Sequence, residues 1–104
     1  MRTLIAAVLA AAAPGLASAG SHEVHQKANQ FDVQSLTVKV GDTVSFRNDD
    51  PHFHNIFSLS DAQSFDLGSY PQGESRKVKF DKEGRVDVEC AIHPNMKMTI
   101  QVAK

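Results

Sequence analysis

The sequence carries a single cysteine in 104 residues, which excludes any disulfide within the chain. It has no excess of charge: 11 Lys and Arg stand against 12 Asp and Glu, for a formal net charge of −1, and the basic residues gather in no stripe. A nucleic-acid-binding surface is built on such a stripe, so no nucleic-acid partner is expected. No apolar run reaches the ~20 residues that a bilayer-crossing helix needs, so no stable membrane insertion is expected either. Beyond the N-terminal stretch, the chain lacks internal repeats, low-complexity tracts and long helical periodicity.

The longest apolar stretch is N-terminal. Met1-Arg2 is followed by Thr3–Ala13, a break at Pro14-Gly15 and the small-residue pattern Ala17-Ser18-Ala19. This is the layout of a secretory signal peptide, residues 1–19, cleaved after Ala19. The expected location is the periplasm. What remains is about 85 residues, one domain with a modest core that a bound metal would help to hold. In an oxidising compartment, a lone Cys90 is a reactive thiol, an intermolecular link, a buried structural residue or a metal ligand.

Residues 20–30 are polar and without periodicity, which predicts a flexible lead-in, and residues 31–104 hold the domain. Phe31, Val33, Leu36, Val38 and Val40 alternate with one slip near Ser35, where a bulge would restore the inward set. Val44 and Phe46 mark a half-buried strand over 43–48, and another is expected from His54 to Leu59. The stretch 60–73, with Gly68, Pro71 and Gly73, predicts an irregular connection. Arg76, Val78 and Phe80, a turn at 81–84, and then Val86, Val88 and Cys90 predict a hairpin. Met98, Ile100 and Val102 face one way on a closing strand. Short strands between frequent turns predict an all-β Greek-key sandwich, which by itself says nothing about chemistry.

Chemistry concentrates in Cys90-Ala91-Ile92-His93-Pro94-Asn95-Met96-Lys97-Met98, which places a thiol, an imidazole and two thioethers between two expected strands. His54 stands far upstream at the head of another strand, where a sandwich can bring it beside this loop. One thiolate, two imidazoles and a weak axial thioether are the requirement of a blue-copper site, because thiolate and thioether favour Cu(I) while imidazole tolerates both oxidation states.

Asp49-Asp50-Pro51-His52-Phe53-His54-Asn55-Ile56-Phe57-Ser58, together with Cys90-x-x-His93-Pro94-x-Met96, resembles the cupredoxin family, nearest its plastocyanin, pseudoazurin and amicyanin branch. The resemblance spans residues 31–102. It implies a single type 1 copper ion held by His54, Cys90 and His93, with electrons passing at the exposed edge of His93. It also implies that Asn55 braces the two ligand loops by hydrogen bonding. Met96 and Met98 both lie at axial spacings found in the family. The His-Pro-x-Met form is similar to the short amicyanin loop and favours Met96, whereas Met98 is in phase with Ile100 and Val102 and reads as strand core. His52 is two residues from His54 and could substitute for it, but the family places its ligand directly before the asparagine.

The expected function is electron transport: a periplasmic carrier, monomeric, passing single electrons between transient donor and acceptor proteins. Four protein ligands leave no open position for substrate, which argues against an enzyme. The alternative is a periplasmic copper-delivery protein using the same ligands, and a metal-free adhesion sandwich is the third reading. Pro51, Phe53, Ile92 and Pro94 could ring His93 with apolar surface suited to brief docking. Cleavage after Ala19 would also create Gly20-Ser21-His22, whose amine, two amides and imidazole make a candidate secondary Cu(II) site, with His25 nearby.

Overall fold

The computed structural model describes residues 19–104, and the stretch assigned to the signal peptide lies, but for Ala19, outside them. Among the described residues there are nine strands and no helix. They are β1 (Ser21–Lys27), β2 (Gln30–Phe31), β3 (Ser35–Lys39), β4 (Thr43–Asn48), β5 (His54–Ser60), β6 (Gln63–Tyr70), β7 (Ser75–Lys79), β8 (Gly84–Cys90) and β9 (Lys97–Ala103). A five-stranded sheet runs β3-β9-β8-β5-β6 and a four-stranded sheet runs β2-β1-β4-β7. The architecture is the all-β sandwich that the alternating patterns predict.

Period-two alternation sends one side of each central strand into the shared core. Val44 and Phe46 of β4, Val86 and Val88 of β8, and Ile100 and Val102 of β9 are all buried. Phe31, Phe46, Phe65 and Phe80 form a chain of ring contacts with centroids 6.2–6.5 Å apart, within the range where offset and edge-to-face aromatic pairs attract.

Four expectations are corrected. The flexible lead-in is instead strand β1, which pairs in parallel with β4 from Ser21↔Thr43 to Gln26↔Asn48. Its inward residues are Val24 and Gln26, and a buried glutamine breaks the apolar alternation that would have revealed a strand. The Gln26 amide is half satisfied: its Nε2 donates to the Tyr70 hydroxyl at 2.8 Å, which donates in turn to the Phe46 carbonyl at 2.9 Å, while its Oε1 is buried without a partner. The slip near Ser35 is a crossing between sheets. Phe31 belongs to one sheet and Val38 to the other, while Asp32 N donates to His25 O and Gln34 O accepts from Thr99 N on the two sides of the crossing.

The irregular connection contains β6, an edge strand paired with β5. Phe65 and Leu67 are half-buried between exposed Ser64 and Asp66, but Gly68, with φ of 73°, interrupts the alternation before Tyr70, and this glycine made the stretch read as a connection. The predicted hairpin is also a sheet change: β7 pairs with β4, whereas β8 lies between β9 and β5. The corner ends at Gly84, with φ of 139°. A Cβ at this position would stand 2.8 Å from the Ala62 Cβ.

Asp42 ties down the start of β1. Its carboxylate accepts from Gly20 N at 2.7 Å and Lys39 N at 2.9 Å, and meets His22 Nε2 at 2.9 Å. The Lys39 amide first, then the His22 ring and the Gly20 amide, hold its pKa down from 3.8 to about 2.

Two outcomes follow from these contacts. Gly84→Ala should lower apo-protein stability by about 1–3 kcal/mol in urea unfolding, since both the positive φ and the Ala62 contact oppose a side chain. A depressed carboxylate contributes stability that is present above its unfolded pKa and lost as pH falls toward the folded value. Acid unfolding of the wild type should therefore contain a component between pH 3.8 and about 2 that Asp42→Asn lacks.

Candidate metal centre

The pairing of β5 with β8 ends at Ile56↔Cys90 and is extended by one further bond, Ala91 N to Asn55 O at 2.9 Å. This places the head of β5 beside the end of β8. The loop after β8 folds back on itself, with Met96 N donating to His93 O at 2.9 Å and Cys90 N donating to Met96 O at 3.2 Å. The strand ends thus gather residues 54, 90, 93 and 96 from two distant parts of the sequence.

The side chains converge accordingly. Cys90 Sγ lies 3.7 Å from His54 Nδ1 and 3.7 Å from His93 Nδ1. His54 is wholly buried, Cys90 and Met96 are buried, and His93 is half-buried at the rim. The register Met98↔Val88 puts Met98 two residues deeper along the sheet, about 6–7 Å from the level of Cys90. Met98 belongs to the strand core, as its phase with Ile100 and Val102 predicts.

Neighbouring groups hold the imidazoles. His54 Nε2 meets Asp50 Oδ2 at 2.7 Å, which leaves Nδ1 as the nitrogen facing the thiol. Burial, then the neighbouring His54 and His52 rings, push the pKa of His93 down from the ordinary histidine value, so the neutral, metal-binding form is favoured. Burial opposes ionisation of Asp50, but the Asn29 amide, the His54 ring and the Ala28 amide outweigh it and lower its pKa.

His52 sits at the rim, as expected of a loop residue near the site. Its ring centroid is 5.1 Å from that of His54 and 5.3 Å from that of His93, and one nitrogen from each of the three rings lies within 4.8 Å of the others. Its Nε2 contacts Asn29 Oδ1 at 2.6 Å. Asn55 joins the two loops through its backbone. Its backbone carbonyl makes the link to the ligand loop, while its side-chain amide donates to Asp66 Oδ1 at 3.0 Å on β6.

Sequence reasoning missed Asn48 and Asp50, both buried. The Asn48 Oδ1 accepts from Asp50 N at 2.8 Å, and its Nδ2 donates to His52 O at 2.8 Å and Tyr70 O at 3.0 Å. The inward phase of β4, with Val44, Phe46 and Asn48 on one face, was the signal that could have identified this asparagine.

The N-terminal candidate site looks different. Gly20 N and His22 Nε2 both contact Asp42, and Ser21 and His22 lie in the extended ladder with β4. His25 is engaged by Asp49 at 2.6 Å and Glu23 at 3.1 Å. A square-planar chelate on Gly20, Ser21 and His22 would have to strip the end of β1 from its partners.

A buried thiol facing two imidazoles, one with its outer nitrogen anchored on a carboxylate, suits a soft transition metal, and the donor set fits copper. Fold and cluster together define a copper-binding β-sandwich protein. Residues 18–103 match the family of copper binding proteins, plastocyanin/azurin family, and the chain belongs to it. Copper is accordingly its cofactor.

The methylamine utilization protein MauL of Methylorubrum extorquens is 35% identical over 69 residues, which cover 65% of this chain and 60% of that protein. A Cu-containing nitrite reductase from Thermus scotoductus superposes with a TM-score of 0.74 at 28% identity, over 79% of this chain and 22% of that one. A purple cupredoxin from Nitrosopumilus maritimus superposes with a TM-score of 0.70 at 23% identity, over 79% of this chain and 99% of that one. A reduced amicyanin variant reaches 0.74 at 24% identity, over 80% of this chain and 82% of that one. The last two establish likeness of fold alone.

The three hydrogen bonds of Asn48 fix the loop that presents His54. Asn48→Ala would leave buried partners without it and should lower apo-protein stability by about 3 kcal/mol in urea unfolding.

Proposed function

We propose that this chain is an exported electron carrier, with copper held by His54, Cys90, His93 and Met96. The observation that carries this reading is the position of Cys90 Sγ, 3.7 Å from Nδ1 of both His54 and His93. Membership of a copper-binding family supports it. A bound copper ion would supply a one-electron Cu(I)/Cu(II) couple.

The protein's part is to hold the donors and exclude water. The packed sandwich end fixes Cys90 and His54, and rigid donors suit a metal whose two oxidation states differ little in demand. Met96 is buried and its carbonyl accepts from Cys90 N, so it would supply the thioether donor. His93, at the rim, is the route by which electrons enter and leave.

Ile92, next to His93 in the chain, is 50% exposed, and Phe53, next to His54, is 54% exposed, apolar surface suited to the small, weak interfaces of electron-transfer encounters. Monomeric state, periplasmic location, removal of residues 1–19 and the absence of catalytic turnover are parts of the same proposal. A carrier keeps its metal through repeated reduction and oxidation, whereas a delivery protein surrenders it to an acceptor. The histidines that would assist delivery, His22 and His25, are engaged by carboxylates, which favours the carrier.

The test is a visible absorption and electron paramagnetic resonance spectrum of the 20–104 protein with one equivalent of Cu(II). An intense visible band should appear, vanish on reduction and return on oxidation. Cys90→Ser should abolish it, Met96→Leu should alter it and Met98→Leu should leave it in place. An ordinary tetragonal signal that survives Cys90→Ser would sink the assignment.

A further inference from the structure

Asp50 is 4% exposed and both of its oxygens are occupied. Oδ1 accepts from Ala28 N at 2.7 Å, and Oδ2 accepts from Asn29 N at 3.0 Å and meets His54 Nε2 at 2.7 Å. The His52 ring faces the same oxygen at 3.9 Å. The two amides come from the turn between β1 and β2, where Ala28 and Asn29 have φ of 55° and 58°. Consecutive left-handed residues define a tight hairpin turn in which glycine is preferred and alanine is strained. Such strain persists where surrounding contacts over-determine it, and here the contact is a buried carboxylate that takes both amides.

A backbone carbonyl would suffice to fix the tautomer of His54. A carboxylate does more, because it adds a negative charge on the far side of the ring in a water-poor environment where charges act strongly. Negative charge next to an imidazole donor strengthens that donor and favours the more positive oxidation state of whatever metal it binds.

We propose that Asp50, held by the β1–β2 turn, is a positioning residue that orients His54 through Nε2 and biases the copper site toward Cu(II), lowering its reduction potential. This rests on His54 being a copper ligand. It makes the turn at 28–29, within the stretch 20–30 read from sequence as a lead-in, a working part of the metal centre.

The experiment compares copper-loaded wild type, Asp50→Asn and Asp50→Glu by absorption and spectroelectrochemical titration at neutral pH. Asp50→Asn should keep the visible band while the preference for Cu(II) over Cu(I) falls at least tenfold, an upward shift of about 59 mV or more for one electron. Asp50→Glu, which restores the charge, should recover part of that shift. An intact band with an unchanged or lowered potential in Asp50→Asn overturns the inference and leaves the ligand assignment standing. A wild type without the band defeats the ligand assignment itself. Should Asp50→Asn fail to fold or lose its band, nuclear magnetic resonance of wild-type Cu(I) protein decides. A slowly exchanging Nε2 proton on His54, close in space to the Asn29 amide proton, sustains the Asp50 contact, and its absence overturns it.

Discussion

The centre depends on where β5 stops pairing with β8. The ladder closes at Ile56↔Cys90 and is prolonged by the bond from Ala91 N to Asn55 O. Residues 36 positions apart, His54 and Cys90, thereby become neighbours with their donor atoms in contact. The register between β5 and β6 slips between Asn55 and Phe57, where β6 carries the extra residue, while His54 and Asn55 stay paired with Tyr70 and Ser69 at the head of β5. A shift of one residue in the β5–β8 register would turn His54 and Cys90 to opposite faces.

The site end of the sandwich is chemically unlike its body. Its body is an apolar core of valines, phenylalanines and isoleucines, while the site end buries Asn48, Asp50 and His54. Burying polar groups is unfavourable unless each finds a partner. Here they satisfy one another and the loop backbone: Asn48 holds the chain at Asp50, His52 and Tyr70, and Asp50 holds Ala28, Asn29 and His54. The network rigidifies the loop that carries His54. In the hairpin on Cys90, His93 and Met96, the backbone bonds Met96 N to His93 O and Cys90 N to Met96 O are joined by the contact of Cys90 Sγ with His93 Nδ1.

What the sequence by itself determined was the layer architecture and the closeness of the thiol, imidazole and thioether in one loop. Alternation in 43–48, 86–90 and 98–102 follows directly from the pleat, and the thiol, imidazole and thioether of 90–96 are close because they are close along the chain. Tertiary structure alone decided the rest. Whether 31–40 bulges or crosses between sheets depends on hydrogen bonds from 25 and 99, which no local pattern contains. Strand β1 was hidden because one of its two inward residues is Gln26, whose partner Tyr70 lies 44 positions away. Asp50 looked like a turn residue, and it is one. Its second role exists only because packing brings His54 and the turn at 28–29 to the same carboxylate, and contacts at such separation are set by the fold rather than by sequence spacing.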